Sequence, residues 1–386
     1  MLSKLSSNLN PSPTVSLDSR VKTMQSEGIK VINLGVGEPD FDTPAHIQQS
    51  CSKAMSDGFT HYSQASGLLD FRIAIQKKFY EDNKIEYDLS EIIVGLGSKP
   101  LLYLAYRTLL DHGDEVLIPI PAWNTFAEQV NICGGKPAFI KLESPFKLTA
   151  ALVKKHITKK TKILLLNSPS NPTGAMIDRS ELKKIAELSA EHNFYIISDE
   201  IYEKLVYSGS HISIASINNE VKTRTITING LSKAYAMTGW RVGFAGGRRE
   251  IITAMINLQT QIASSAATFS QVAGTKALMG TQLPLKKMYK EFVLRRDFLL
   301  KNLGSIPGIS IVEPEGAFYV FVSIEKILNK KYKTSSEWCE ALLEKQKVAV
   351  VPGEAFFYPG YFRLSYAASF ENIKKGIKGI KNFIES

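Results

Sequence analysis

Lys233 lies just beyond the apolar run Thr225-Ile226-Thr227-Ile228, inside the stretch Asn229-Gly230-Leu231-Ser232-Lys233-Ala234-Tyr235-Ala236-Met237-Thr238-Gly239-Trp240-Arg241-Val242-Gly243. Ligands of open α/β sheets gather at the carboxyl ends of strands, so this position presents an amine to a ligand. Ser232 adds a hydroxyl beside the amine, and Arg241 adds a planar, permanently charged fork suited to phosphate. Taken alone, the stretch also fits a solvated basic loop at a strand end. The companion runs decide between the two.

Ile196-Ile197-Ser198-Asp199-Glu200-Ile201-Tyr202 ends a buried strand in a carboxylate, which is costly to bury without a positive partner. A helix N-cap at Asp199 and a packed core tyrosine at Tyr202 are the plainer reading of the same run. Asn167-Ser168-Pro169-Ser170-Asn171-Pro172-Thr173-Gly174 is by itself a turn sequence, but Asn171 offers both a donor and an acceptor after an apolar strand. In Gly95-Leu96-Gly97-Ser98-Lys99-Pro100, glycines let the backbone approach an anion, and the N–H groups of the following helix point toward it. Trp123, in Pro119-Ile120-Pro121-Ala122-Trp123, is either a flat wall for a ring or a core tryptophan. Arg363, in Tyr361-Phe362-Arg363-Leu364-Ser365-Tyr366, suits a planar carboxylate.

Together these runs resemble the class I pyridoxal-phosphate-dependent aminotransferases of fold-type I, in particular the bacterial aspartate aminotransferase-like subgroup, from about Pro11 to the C-terminus. The resemblance implies pyridoxal 5′-phosphate as cofactor, held as a Schiff base on Lys233, with Asp199 keeping the ring nitrogen protonated and Tyr202 bonding the ring hydroxyl. Lys233, Asp199 and Tyr202 are then the catalytic set. Asn171 bonds the ring hydroxyl and the substrate carboxylate, and its bond to Pro172 is expected to be cis, as is the bond before Pro121. Gly97, Ser98, Lys99, Ser232 and Arg241 form the phosphate cup, with Pro100 where the related enzymes often carry Gln.

Under the same resemblance Trp123 stacks on the ring and borders the substrate, and Arg363 grips the α-carboxylate close to the Gly37 backbone of the loop Gly35–Pro44. Tyr62 reaches across a homodimer to the partner's phosphate, so the active sites are shared. Lys99, helped by Thr14, reads the distal carboxylate of an acidic substrate; a solvent-facing residue at a helix start is an equally simple reading of that lysine. The implied reaction is ping-pong transfer between an amino acid and a 2-oxo acid, of aspartate/2-oxoglutarate type. Aromatic, alanine or prephenate preference stays open, and so does C–S lyase chemistry, because one scaffold hosts several reactions.

The elements that must position these residues are legible from Glu91 onward, where short apolar runs alternate with helical patterns. Strands are expected at 91–94, 115–118, 162–166, 194–197, 224–228 and 242–245, and a helix over 180–192 with a capping box between Asp178 and Glu181. Beyond Leu285 the pattern changes to a long charged helix, Lys286 to Leu303, then strands at 309–312 and 318–322 and a final helix over 371–384. The expected fold class is α/β, a large domain with a mainly parallel sheet sandwiched by helices (41–290) plus a smaller α+β domain (1–40 and 291–386). In the family it resembles, the N-terminal arm folds back onto the C-terminal part, which puts the boundaries near residues 40 and 290.

A chain of 386 residues with ordinary apolar and charged fractions reads as a soluble globular enzyme. The net charge of +10 comes from lysine pairs scattered along helices, such as Lys154-Lys155 and Lys374-Lys375, so no nucleic-acid partner is expected. Nor is a membrane partner, since no apolar stretch approaches a spanning length. The segment Met1–Pro13 is polar and lacks a signal-peptide core, and Cys51, Cys133 and Cys339 are widely spaced. Free thiols, a cytoplasmic location and no metal are therefore expected.

Overall fold

The computed structural model describes residues 3, 7, 9 and 11–386. Of the polar segment Met1–Pro13, residues 1, 2, 4–6, 8 and 10 lie outside the described residues, and with them most of the signal-peptide expectation. In chain order the first strands are β1 (Ile32–Asn33), β2 (Ile92–Gly95), β3 (Glu115–Ile120), β4 (Lys136–Lys141), β5 (Thr161–Asn167), β6 (Tyr195–Asp199), β7 (Thr225–Gly230) and β8 (Gly243–Gly246). Five more follow: β9 (Ser310–Ile311), β10 (Tyr319–Ser323), β11 (Val348–Ala349), β12 (Val351–Pro352) and β13 (Tyr361–Ser365).

Seven strands form one sheet in the order β2-β8-β7-β6-β5-β3-β4. The ladders from β7 across to β4 are parallel, whereas β8 runs antiparallel to both β2 and β7. The carboxyl ends of β2, β3, β5, β6 and β7 therefore share one edge, and the reversed β8 begins there. Gly243 pairs with Gly95 on one side and Gly230 on the other, so the residues just outside this row come from three distant segments. The reversal of β8 is what brings Arg241 to the edge that already carries Gly97 and Lys233.

Strands such as Ile-Ile-Val-Gly in β2 and Thr-Ile-Thr-Ile-Asn-Gly in β7 are buried along their whole length because helices cover both faces. On one face Ile163, Leu165, Ile197 and Ile226 pack with Leu101, Val130 and Ile252 from the helices Ser98–Leu109, Thr125–Ile132 and Arg249–Ile262. On the other, Leu164, Leu166 and Ile196 pack with Val153, Leu182 and Ile185. Each fully buried side chain of this kind stabilises the fold by roughly 1.5–3 kcal/mol. The helix expected over 180–192 spans Arg179–His192, but the capping box is absent. Glu181 instead accepts from the Ala150 N–H at 2.7 Å and from Lys184 at 2.7 Å, tying two helices together.

A second, antiparallel sheet, β12-β13-β10-β9, follows the long helix Leu283–Leu303, which starts a turn earlier than expected because Pro284 is accommodated in its first turn. The last helix, Phe370–Glu385, is capped by Ser369 and buries Ile373, Ile377, Ile380 and Phe383 along one stripe. The N-terminal segment joins this part of the chain. β1 pairs in parallel with β11, and Arg20 of the helix Pro13–Ser26 meets Glu340 at 2.9 Å. Among the described residues no helix is long and apolar enough to cross a membrane.

Candidate functional site

The shared strand edge opens into a cleft of roughly 490 Å³, bordered by Ser98, Lys99, Trp123, Asn171, Asp199, Tyr202, Ser232, Lys233, Arg241, Arg363 and the Gly37 backbone. All of these were expected from the sequence. Thr14 also borders the cleft, on the helix Pro13–Ser26. Gly97 sits immediately behind it as the N-cap of the helix Ser98–Leu109. Tyr62 does not: its side chain is 89 % exposed and stands apart from the cleft of its own chain.

Lys233 projects from the loop after β7, and its Nζ donates to the Gly37 carbonyl at 2.5 Å. The side chain keeps some solvent contact, yet burial of the ammonium, only partly offset by Glu38, brings its pKa down to about 8. Asp199 closes β6 and is 4 % exposed, with the Ile201 N–H at 3.3 Å on Oδ1. Burial pushes its carboxyl up to about 7, against the pull of that N–H and of Lys233. Behind it, Glu200 accepts from Ser198, Ser213, His211 and Asn83, and Glu203 pairs with Lys78. This buried network anchors the strand end.

Arg363 lies in the middle of β13, opposite Phe321 of β10 and Val351 of β12, and is 2 % exposed. Its Nη1 donates to Asn171 Oδ1 at 2.9 Å and its Nη2 to the Gly35 carbonyl at 2.6 Å, while its buried Nε has no hydrogen-bond partner among the described residues. Among the described residues no carboxylate pairs with this guanidinium. A fully buried, unneutralised cation is costly, so the site is built for an anion. Asn171 and Pro172 are joined by a cis bond, as are Ile120 and Pro121.

Gly97 takes a φ of +102°, which an L side chain rarely adopts, and a methyl there would come within 2.9 Å of Arg241 Nη2. A methyl on Gly243 would come within 2.8 Å of the Gly97 carbonyl carbon, so β8 and the β2 loop meet only because both positions lack a side chain. Arg241 is fixed in this cradle by bonds to the carbonyls of Thr238 at 2.9 Å and Leu96 at 3.1 Å. The start of the Ser98–Leu109 helix, the Ser232 hydroxyl and Arg241 thus converge as anion donors. Lys99 borders the same cleft with its Nζ 4.5 Å above the Trp123 ring, and burial together with Arg241 lowers its pKa.

Two contributors escaped the sequence reading. Tyr319, on β10, has its hydroxyl 2.8 Å from that of Tyr202 and its ring 4.3 Å below Arg363. Glu38 accepts from Thr238 at 2.7 Å, joining the Gly35–Pro44 loop to the Lys233 segment. Glu38 stands beside Gly37 in a run already singled out, so proximity was the available signal. Tyr319 gave none, being one apolar-looking residue in a buried strand.

Comparison with known proteins bears on this geometry directly. Residues 29–380 match the model of the aminotransferase class I and II family. An aspartate aminotransferase of Bacillus sp. strain YM-2 is 44 % identical over 98 % of this chain and 97 % of its own length. A probable aspartate/prephenate aminotransferase of Aquifex aeolicus is 43 % identical over 98 % of this chain and 97 % of its own length. The crystal structure of the aspartate aminotransferase from Rhizobium meliloti superimposes with a TM-score of 0.95 at 40 % identity, covering 100 % of this chain and 99 % of the other. A likeness of this extent, over a cleft that gathers an amine, a buried carboxylate and an unneutralised arginine, places the chain in the class I and II aminotransferase family, as an aminotransferase.

Proposed function

We propose that this aminotransferase uses pyridoxal 5′-phosphate and prefers aspartate and 2-oxoglutarate as its substrate pair. The observation that carries the acidic-substrate reading is a pair of cations bordering one cleft, Arg363 and Lys99, neither neutralised by a carboxylate among the described residues. Two such charges match the two carboxylates of a dicarboxylic amino acid. The relatives' names point the same way.

The residues present fit the cofactor. Asp199 is a buried carboxyl to which no cationic side chain among the described residues is hydrogen-bonded, as a protonated ring nitrogen requires. The Gly97–Gly243 cradle leaves room for a phosphate against Ser98, Ser232 and Arg241. Bound there, the cofactor supplies an electron sink for the pair released when the Cα–H bond breaks. Tyr202 and Asn171 would orient it through its ring hydroxyl, and Trp123 would wall its face and limit water.

Arg363 would hold the α-carboxylate close to the Gly37 backbone, with the substrate Cα–H toward Lys233, whose Nζ reaches the same loop. With a pKa of about 8, Lys233 Nζ is in part a neutral amine near neutral pH and takes and returns that proton. The donor would exchange its amino group for the oxygen of a water molecule and leave as a 2-oxo acid, with the amino group kept on the cofactor until the acceptor takes it and returns the water. Lys99, with Thr14 at the cleft mouth, reads the distal carboxylate.

The working unit is a homodimer with shared sites. Exposed Tyr62, close in sequence to exposed Met55, Phe59, Leu69 and Ile73, supports a partner surface there. We assign residues 41–290 to the large domain and 1–40 with 291–386 to the small one, following the β1–β11 pairing. Three buried free cysteines support a cytoplasmic location. A second acceptor, prephenate, is suggested by the Aquifex aeolicus relative. A panel of amino donors against 2-oxoglutarate, oxaloacetate and prephenate tests the assignment. Aspartate with 2-oxoglutarate should give the highest kcat/KM, and a preference for alanine or aromatic donors would overturn it.

A further inference from the structure

Tyr319 has no part in the assignments above, yet it touches three of their residues. It is 1 % exposed and sits in β10 opposite Ser365 of β13. Its ring centre lies 4.3 Å from the Arg363 guanidinium carbon, and its hydroxyl 2.8 Å from that of Tyr202. Its oxygen is packed against the substrate loop so closely that a methyl on Gly37 would come within 2.9 Å of it. One side chain thus contacts the group assigned to the α-carboxylate, the group assigned to the ring hydroxyl, and the loop that meets Lys233.

The two hydroxyls share one hydrogen bond, and each tyrosine has a single proton to give. When the Tyr202 O–H is engaged by a ligand oxygen, the proton between the tyrosines has to be that of Tyr319. A guanidinium over the ring face draws electron density from the phenol and makes it the better donor. Such a chain polarises its members, so a hydroxyl that accepts one bond donates the next more strongly.

We propose that Tyr319 is a positioning residue: its hydroxyl donates to Tyr202 Oη and aims the Tyr202 proton at the ring hydroxyl of the ligand, while its ring fixes the plane of Arg363. The inference rests on the role given to Tyr202 under the proposed function. It couples α-carboxylate binding to the electronics of the ring through one buried side chain.

Tyr319→Phe removes the hydroxyl and keeps the ring over Arg363. The protein is loaded with pyridoxal phosphate and the pH midpoint of its visible absorbance change is measured. A bond from Tyr202 stabilises the deprotonated form, in which the ring oxygen carries the most negative charge, so weakening it moves the midpoint to higher pH. Tyr319→Phe should raise it by roughly half to one pH unit, less than Tyr202→Phe does, and should add nothing in a Tyr202→Phe background. An unmoved midpoint, or the same rise without the Tyr202 hydroxyl, overturns the relay. If Tyr202→Phe itself leaves the midpoint in place, the Tyr202 assignment has failed and the relay falls with it. The ring's part is read separately: Tyr319→Leu should raise KM for every amino donor well above its value in Tyr319→Phe, and equal KM values would overturn that part.

Discussion

Replacing Asp199 by asparagine should make the cofactor-free protein more stable and the enzyme much slower. Burial carries this carboxyl from an ordinary 3.8 to about 7 in the folded chain, a change equivalent to roughly 4 kcal/mol. In the unfolded chain it ionises near its ordinary value. Between the two values the folded state holds a proton that the unfolded state has lost, so this group's contribution falls as pH rises from about 4 to about 7 and is level above that. Asparagine cannot ionise and escapes the penalty while keeping an acceptor for the Ile201 N–H. Urea denaturation of cofactor-free protein at fixed concentration should therefore show Asp199→Asn ahead by up to about 4 kcal/mol at pH 8, with a smaller gap at pH 5. With cofactor bound the advantage should reverse in function. A neutral amide cannot hold the ring nitrogen protonated, and half-reaction rates should fall by roughly a hundred- to a thousandfold, about 3 kcal/mol or more. Equal stability at pH 8 would show that the buried carboxyl carries no such penalty, and near wild-type half-reaction rates would refute its electrostatic role.

The two cations should separate by substrate. Arg363→Ala should weaken every amino donor, whereas Lys99→Ala should lower kcat/KM for aspartate and glutamate by roughly ten- to a hundredfold, about 1.5–3 kcal/mol, and spare alanine. Steady-state kinetics on the three donors check this, and equal losses for alanine and aspartate would return Lys99 to its place over Trp123. For the dimer, mixing an inactive Tyr62 variant with an inactive Lys233 variant should restore part of the activity, because hybrid dimers hold one intact composite site. Absence of rescue after demonstrated subunit exchange counts against shared sites.

Much of the cleft was legible because it is built at strand ends. β5, β6 and β7 are apolar runs closed by Asn167, Asp199 and Gly230, so the residues just beyond them fall on one edge whatever the details of packing. The reversed direction of β8 was not legible, since Gly-Phe-Ala-Gly carries no orientation signal, and it is this reversal that delivers Arg241. β4 was missed because Lys136, Phe139 and Lys141 are exposed on an edge strand and blur its pattern. Glu181 has the spacing of a capping box, but the Ala150 N–H in a neighbouring helix holds it instead. Tyr319 shows the general limit. Periodicity places it in a buried strand, but only the pairing of β10 with β13 sets it beneath an arginine distant in sequence.

The chemistry of the cleft turns on one lysine. Protein loaded with pyridoxal phosphate should be reduced with borohydride, digested and mapped by mass spectrometry. The reduced adduct is predicted on the peptide carrying Lys233, with the label lost in Lys233→Ala. An adduct on any other lysine, or one that survives that substitution, would contradict the assignment of the cleft.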